Sequence, residues 1–462
     1  MFRAKFMLAV LAFLLPATRL LAAPSMTAEQ VTQDLRYFRD VWAAKDRSFS
    51  PEARRQMVSF VNQHIAAAHP MERADLALVF AEAAAFSGNN HTLIYIYDAP
   101  DVFHPLPISF WWFPEGAIVT RAHPRYRHLL GAKIISVGGV PIQEAATRVE
   151  RFIPGIASHK RYISPLWLTR IEALRAIRVT DGATVQYDFE LPSGTHTSER
   201  LEAVTDVNSA ALDPPWQESM VPDKRPQSWP HVLDRLRELP PYLEGPAELS
   251  WKLLLNGSLL YVRSTALSSH TVEVNAYRMV DAVVKSGRLP DNVVVDLRFN
   301  EGGDFFNVLA VSTELVKMTE SRGRIYVITG RATNSAAIVF TALLKGHAPD
   351  RTRIVGEEIS DREWFWSEGG QLMAPASGLP LNYTDGYHDW GQGCTDLGKC
   401  YWPVVYFGVS AGSLRPQIPV SLTYRDYILG KDPALEAITA DISSKGTAGI
   451  PSPRNTSGRE ER

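Results

Sequence analysis

One stretch of the sequence, residues 292–337, alternates apolar strands with helical periodicity. A continuous apolar strand over 292–297 enters a polar turn with the pair Gly302-Gly303, and an amphipathic helix follows it. A second apolar strand, over 324–329, ends in another polar turn, which places Ser335 at the start of a second helix. This βαβ pattern predicts a parallel or mixed sheet with both turns at one edge. Open α/β sheets bind ligands at the carboxyl ends of their strands, so we expect the functional site there.

The remainder of the chain falls into segments of distinct pattern. At 462 residues the chain exceeds one ordinary domain. The predicted segments are an N-terminal helical domain (25–100), a lobe of short strands (103–205), a proline-rich linker (206–247) with one short helix over 232–239, an α/β domain (248–440) and a disordered tail (441–462). The helical domain ends in a polar turn that carries His91.

The first residues have the layout of an export signal. Arg3 and Lys5 precede an apolar run over 6–15, and small residues surround Ala23, which predicts a secretory signal peptide over 1–23. An uncleaved membrane anchor is the alternative, but Arg19 interrupts the segment and the apolar run is short for a membrane span. We therefore expect a periplasmic or secreted protein with no stable membrane span after signal cleavage.

Charge and cysteine content limit the classes of ligand that the chain is expected to bind. The formal net charge is −2 and no basic run stands out, which argues against nucleic-acid binding. The two cysteines, Cys394 and Cys400, lie in one glycine-rich loop, and in an exported chain this favours a disulfide. A metal site is the weaker alternative, because two thiols at this spacing lack a second pair of ligands. No metal or cofactor is expected.

Ser335 has two readings. A serine at a helix start is most often an N-cap. The helix N-terminus also supplies N–H groups and a positive dipole end, which suit a developing oxyanion, and the Gly302-Gly303 turn can present further N–H groups. A nucleophilic serine at this position therefore agrees with both turns.

Such a serine needs a base within hydrogen-bond reach. The segment 356–370, which follows the third strand, contains no lysine, and the guanidinium of Arg362 does not lose its proton. Lys345 lies ten residues into the helix that follows Ser335. His91 is the leading base. The carboxylate that would orient it is left open at this point among Asp385, Asp389 and Asp396.

Six motifs in order resemble the tail-specific, or C-terminal processing, serine peptidases, in the branch with tricorn-like peptidases and interphotoreceptor retinoid-binding protein. DLRFNEGG (296–303) resembles the family's Asp-Leu-Arg-x-Asn-x-Gly-Gly signature, and TNSAA (333–337) resembles its nucleophile turn. The others are RIVGEE (353–358), SGNNHT (87–92), the PDZ-like LLGAKIISVGGVPI and the terminal PVSLTYRDYILGKDPALEAI (419–438).

The resemblance implies a fold and a site. The fold would be α/β, with a crotonase-like ββα catalytic core, the N-terminal helical segment and a PDZ-like lobe over 103–205. Ser335 would be the nucleophile and His91 the general base, and the family's acidic residue, 55 to 60 positions after the serine, is bracketed by Asp389 and Asp396, of which we take Asp389. The oxyanion donors would be the backbone of Gly302, Gly303 and Ala336.

The implied activity is that of an exported serine endopeptidase acting on protein or peptide substrates. The chain departs from the family pattern at Asn89, Ile338 and residues 358–361. These departures leave one alternative, a catalytically degenerate relative that binds a lipid or a peptide.

Overall fold

The computed structural model describes residues 25–93, 101–204, 215–222, 228–245 and 247–447. The predicted signal peptide and the end of the tail lie outside these ranges. The described chain begins with helices, α1 (Ala28–Tyr37), α2 (Ala43–Lys45), α3 (Pro51–Ala66) and α4 (Arg73–Ala85), with a π-helical turn, Phe38–Trp42, between the first two. Thr27 and Gln30 form a capping box at the start of α1. The predicted strand after His91 falls mostly on residues outside the described ranges.

An antiparallel sheet follows the helices. Its strands are β1 (Ile108–Phe113), β2 (Gly116–Ala122), β3 (Lys133–Val137), β4 (Val140–Pro141), β5 (Thr184–Glu190) and β6 (His196–Glu202). The helices of this lobe are α5 (Ile142–Val149), α6 (Ala157–Leu168) and α7 (Ile171–Ala176), with 3-10 turns at Pro124–Leu129 and Glu150–Phe152. The sheet order is β1-β2-β3-β5-β6, and β4 pairs with β3. One hydrophobic core joins this lobe to the N-terminal helices. Its PDZ-like character stays a prediction.

The segment predicted as a linker contains a helix, α8 (Pro215–Met220), and a 3-10 turn, Pro241–Leu243. The prediction of a short helix over 232–239 is wrong, because those residues form turns. His231 explains the difference. Its ring Nδ1 accepts a hydrogen bond from the backbone N–H of Leu233, and its backbone N–H donates a hydrogen bond to the Asp234 carboxylate. Such local side-chain bonds compete with helical ones.

The C-terminal half is built on a six-stranded mixed sheet. Its strands and those of two hairpins are β7 (Leu249–Leu254), β8 (Leu259–Ser264), β9 (Asn292–Asp296), β10 (Ile325–Thr329), β11 (Thr352–Gly356), β12 (Trp364–Ser367), β13 (Gly370–Met373), β14 (Pro380–Tyr383), β15 (Gly386–Asp389) and β16 (Ile418–Pro419). The helices are α9 (Thr271–Lys285), α10 (Phe306–Met318), α11 (Ala336–His347), α12 (Trp402–Phe407), α13 (Tyr424–Ile428) and α14 (Pro433–Thr447), and a 3-10 turn spans Leu255–Gly257.

The sheet order is β16-β11-β10-β9-β8-β7, with parallel pairs from β8 to β16 and β7 antiparallel at the edge. Helices α9, α10 and α11 pack on one face and α14 on the other. The valines of β9 are fully buried, as in a strand covered on both faces. The predicted mixed α/β sheet is confirmed, whereas the crotonase-like core stays a prediction.

The predicted tail begins too early. Helix α14 continues to Thr447, so residues 441–447 are helical and not disordered. The carboxylate of Asp441 accepts hydrogen bonds from Arg324 at 2.8 Å and from the Tyr326 hydroxyl at 2.6 Å. These two partners belong to β10 and the residue before it, so only the tertiary structure supplies the reason for the longer helix. Within the described residues, no helix has both the length and the apolar surface that a membrane crossing requires.

Candidate active site

The two polar turns of the βαβ unit meet at the carboxyl edge of the sheet. The first turn follows β9 and the second follows β10, its parallel neighbour. The Asn334 N–H donates to the carbonyl of Asn300 at 3.0 Å, and the Thr333 hydroxyl donates to the carbonyl of Leu297 at 2.7 Å. These two bonds fix the turns against each other.

The charged residues that open the first turn are structural. The Arg298 guanidinium lies between two carboxylates, 2.8 Å from Asp296 and 2.9 Å from Asp432, and all three side chains are buried. The Tyr261 hydroxyl donates to Asp296 at 2.6 Å. Bidentate pairing with Asp432 ties the turn to the start of α14. These side chains hold the turn and leave its glycines to face the second turn.

Ser335 has an unusual backbone conformation. Its φ is 50° and its ψ is −122°, a region that a non-glycine residue adopts at a cost of about 1–3 kcal/mol. Although it occupies the N-cap position of α11, its side chain makes no capping hydrogen bond. Ser335 therefore does not act as an N-cap, and capping does not explain its strained backbone.

Gly302 lies directly against Ser335. A Cβ on Gly302 would sit 2.6 Å from the Ser335 Cβ and 3.0 Å from the Ala336 nitrogen, and the φ of Gly302 is +107°. Both the close approach and the positive φ require glycine. Any side chain at this position would collide with the serine and cover the first N–H of α11.

The three predicted oxyanion donors differ in whether their N–H groups are already hydrogen-bonded. The N–H of Gly302 donates to the Asn300 side chain at 2.9 Å, so it is already used within the turn. Among the described residues, the N–H groups of Gly303 and Ala336 have no hydrogen-bond partner. Two N–H groups without a partner in the described part of the chain, those of Gly303 and Ala336, therefore lie at the turns beside Ser335. Gly302 serves by having no side chain that would collide with the serine.

The turn that carries His91 lies against the serine turn. The Asn90 amide donates to the Asn334 side-chain carbonyl at 2.9 Å, which joins the residues that directly precede His91 and Ser335. Asn89 pairs with β12, because its amide donates to the Trp366 carbonyl and its Oδ1 accepts the Trp366 N–H, each at 3.0 Å. An aspartate could not donate, which accounts for asparagine at a position where the family has an acid.

The His91 ring packs against an aromatic face. Its centroid lies 5.3 Å from that of Phe365 with an interplanar angle of 17°. Both ring nitrogens are buried, and neither has a hydrogen-bond partner among the described residues. Burial, followed by the charge of His388, lowers the pKa of His91 to about 4, so the ring is neutral at pH 7 and able to accept a proton. Buried unpaired nitrogens are rare and mark a group that awaits a partner.

The three candidate carboxylates contact their own loops. Asp389 accepts the Gln392 N–H at 2.8 Å, and Asp396 accepts the Gly398 N–H at 2.9 Å inside the disulfide loop. Asp385 is exposed. Side chains alternate along β15, so Asp389 points away from the face on which its neighbour His388 is buried. None of the described contacts of the three reaches His91.

The structure brings other residues to the site that sequence reasoning missed. His159 on α6 is buried next to His91, and its Nδ1 lies 2.8 Å from the Ser360 hydroxyl. Ser360 in turn donates its N–H to the Thr333 carbonyl at 2.8 Å. Burial lowers the pKa of His159 to about 3. Its only sequence signal was a polar residue on a helix face, which is too common to single out.

Two carboxyl groups lie beside the site, of which Asp361 is buried and Glu301 is half-buried. Tyr162 donates to Glu301 at 2.6 Å, and Asp361 accepts the Arg362 N–H at 2.8 Å. Burial raises the pKa of both carboxyl groups to about 7. No group of three or more His, Cys, Asp or Glu side chains within the described ranges is arranged to hold a metal ion.

The cysteines form a local disulfide. Cys394 and Cys400 are bonded to each other, and Cys400 pairs with Tyr387 of β15 in an isolated bridge. Tyr401, the next residue, donates its N–H to the Tyr387 carbonyl at 2.9 Å and stacks on His388 with ring centroids 5.6 Å apart. The disulfide loop therefore packs behind the histidine side of the site.

Comparison with known proteins gives a fold match. No protein-family model matches the chain, and no curated protein does. A crystal structure of a serine-to-alanine mutant of CPAF is similar with a TM-score of 0.59 and 11% identity, covering 92% of this chain and 99% of that one. The chain shares its fold with CPAF.

Mature CPAF complexed with lactacystin is similar with a TM-score of 0.53 and 12% identity over 91% of this chain and 98% of that one. The photosystem II D1 C-terminal processing protease has a TM-score of 0.39 at 14% identity, over 88% of this chain and 99% of that one. The family resemblance carried by the motifs is confirmed at the level of the fold.

Proposed function

We propose that this protein is a serine-type peptidase of the tail-specific kind, with Ser335 as nucleophile and His91 as general base. The observation that carries the proposal is the contact between the two turns, in which Asn90 bonds to Asn334 and so brings the turn that carries His91 against the turn that carries the strained Ser335. Backbone strain of this kind gathers at functional sites, and the serine makes no capping bond that would explain it otherwise.

The arrangement supports acyl transfer. The Ser335 hydroxyl gives its proton to a ring nitrogen of His91 while its oxygen bonds to the scissile carbonyl carbon. The N–H groups of Gly303 and Ala336 stabilise the resulting oxyanion, and the dipole of α11 adds to their effect. His91 then gives the proton to the leaving amine, and water releases the acyl group by the same steps in reverse order. No step needs a metal or a cofactor.

Labelling with a fluorophosphonate probe tests the nucleophile without knowledge of the substrate. We expect covalent labelling of the wild-type protein and none of Ser335→Ala, with slower labelling of His91→Ala by several orders of magnitude. Hydrolysis of unfolded casein should be lost in both variants, while circular dichroism shows a retained fold. A wild-type protein that is inert to the probe, or casein hydrolysis that survives both substitutions, would refute the assignment.

We further propose that the enzyme acts outside the cytoplasm on proteins or peptides. The support is the predicted signal peptide over 1–23 and the Cys394–Cys400 disulfide, a bond that persists in oxidising compartments. Fractionation of cells that express the full chain tests this proposal. Recovery of the protein in the cytosol with its first residues intact would contradict it.

A further inference from the structure

The His91 ring belongs to a stack of aromatic rings that continues behind it. Phe365 stacks with both His91 and His388, with ring centroids 5.3 Å and 4.9 Å apart and interplanar angles of 17° and 14°. Phe365 is buried and belongs to the core of the C-terminal sheet. The His91 ring is therefore held in its plane by packing, without a hydrogen bond to a carboxylate.

The far end of the stack carries a negative charge. The Glu368 Oε1 lies 3.3 Å from Nε2 of His388. Glu368 itself has φ 58°, and a Cβ on Gly386 would sit 2.8 Å from its Cγ, so the glutamate is held in a strained turn against β15. Backbone strain at a polar residue beside a candidate active site points to a functional role for the side chain of that residue.

The protonation of His388 follows from its neighbours. The Trp390 indole, which can only donate, lies with its Nε1 3.3 Å from Nδ1 of His388. The His388 Nδ1 must then accept, and the neutral ring carries its hydrogen on Nε2, the atom that faces Glu368. Burial lowers the pKa of His388, which keeps that form neutral. His388 thus turns its Nε2 toward the Glu368 carboxylate.

Resting on the proposed function, we propose that Phe365 and Glu368 are positioning residues for His91. Phe365 orients the ring, and the carboxylate of Glu368, which lies beside His388, stabilises the imidazolium that forms when Ser335 attacks. A π-face against a cation and a negative charge behind it both favour the charged ring. Together they take the place of the directly bonded carboxylate of a triad, the role that sequence reasoning gave to Asp389.

Other ionisable groups also face His91. His159 on α6 lies beside it, and Asp361 contacts the backbone of Asn90. Glu368 is the one carboxylate among the described groups whose charge raises the pKa of His91. Its removal therefore changes the pKa of His91 in the direction opposite to the loss of His388, whose charge lowers that pKa.

The test compares three substitutions in the full chain. In the Ser335→Ala background, nuclear magnetic resonance titration of His91 should give a pKa lower by about one pH unit in Glu368→Gln. Labelling of Ser335 by the fluorophosphonate should slow by about tenfold in Glu368→Gln. Glu358→Gln, an exposed carboxylate on the same segment, is the matched control and should leave both readouts unchanged. Asp389→Asn tests the rival assignment.

For the stack, Phe365→Leu should slow labelling by about tenfold, and Phe365→Tyr, which keeps the ring, should restore most of the rate. The proposal is overturned if Glu368→Gln matches Glu358→Gln in both readouts, or if Asp389→Asn has the larger effect. Equal labelling of Phe365→Leu and wild type would overturn the role of the ring. A His91 pKa that falls in Glu368→Gln while the wild-type serine stays unlabelled would refute the peptidase and support this arrangement.

Discussion

Gly302→Ala is the substitution that most directly tests the geometry beside Ser335. The added methyl group would sit 2.6 Å from the Ser335 Cβ and 3.0 Å from the Ala336 nitrogen. Neither neighbour is the end of a flexible side chain, so the turn itself must move. The positive φ of +107° adds strain of about 1–3 kcal/mol, and the overlap adds a similar amount.

The expected effect on reactivity is larger than the effect on stability. A displacement of the serine by about 1 Å lowers the rate by about 10²-fold, and the methyl group also covers the N–H of Ala336, one of two proposed oxyanion donors. We therefore expect fluorophosphonate labelling of Ser335 to slow by at least about 10²-fold in Gly302→Ala. Urea unfolding of the same protein measures the accompanying loss of stability.

Gly194→Ala is the matched control. Gly194 also has a positive φ, +83°, but nothing lies within 4 Å of a Cβ built on it. This variant should lose about 1–3 kcal/mol of stability and keep its labelling rate. Labelling of Gly302→Ala at the wild-type rate, with a stability loss equal to that of the control, would refute the close approach of the two turns.

Three further substitutions test strain, buried charge and pH dependence. Ser335→Gly should be more stable than Ser335→Ala by about 1 kcal/mol in urea unfolding, because glycine adopts φ 50° without strain; equal stabilities would contradict the strained turn. Asp432→Asn should destabilise by about 3 kcal/mol, because Arg298 stays buried with half of its pairing lost; a change within about 0.5 kcal/mol would contradict the structural role of this pair. Burial raises the pKa of Asp361 to about 7, so the folded protein keeps a proton that the unfolded chain releases near its ordinary pKa of 3.8, and the contribution of Asp361 to stability is lost as the pH rises through 7. Asp361→Asn should therefore gain stability relative to wild type between pH 5 and pH 8, by at most about 3 kcal/mol, and a difference independent of pH would contradict the burial of this carboxyl.

The sequence located the serine side of the site because its signals are local. Apolar runs with period-2 and period-3.6 patterns mark β9, β10 and the helices that follow them, and parallel neighbours must place their carboxyl ends together. The pair Gly302-Gly303 and the serine at a helix start then stand out by position alone. His91 was reached by elimination, since the chain offers no lysine where one would be needed.

The surroundings of His91 cannot be derived from local patterns, and its acidic partner stays a prediction. Asp389 fits the family's spacing, but on β15 its side chain points to the face opposite His388. Spacing along the chain does not record the pairing of β12 with β15, and this pairing brings Phe365, Glu368 and His388 together.

What the sequence alone determined is the order of strands and helices and the two turns at one sheet edge, because these follow from periodicity and local chemistry, whereas the roles of Ser335 and His91 stay predictions. The tertiary structure decided the surroundings of His91, the use of the Gly302 N–H within its own turn and the backbone strain at Ser335. These depend on contacts between residues far apart in the chain, such as Asn90 with Asn334, and no local pattern encodes them.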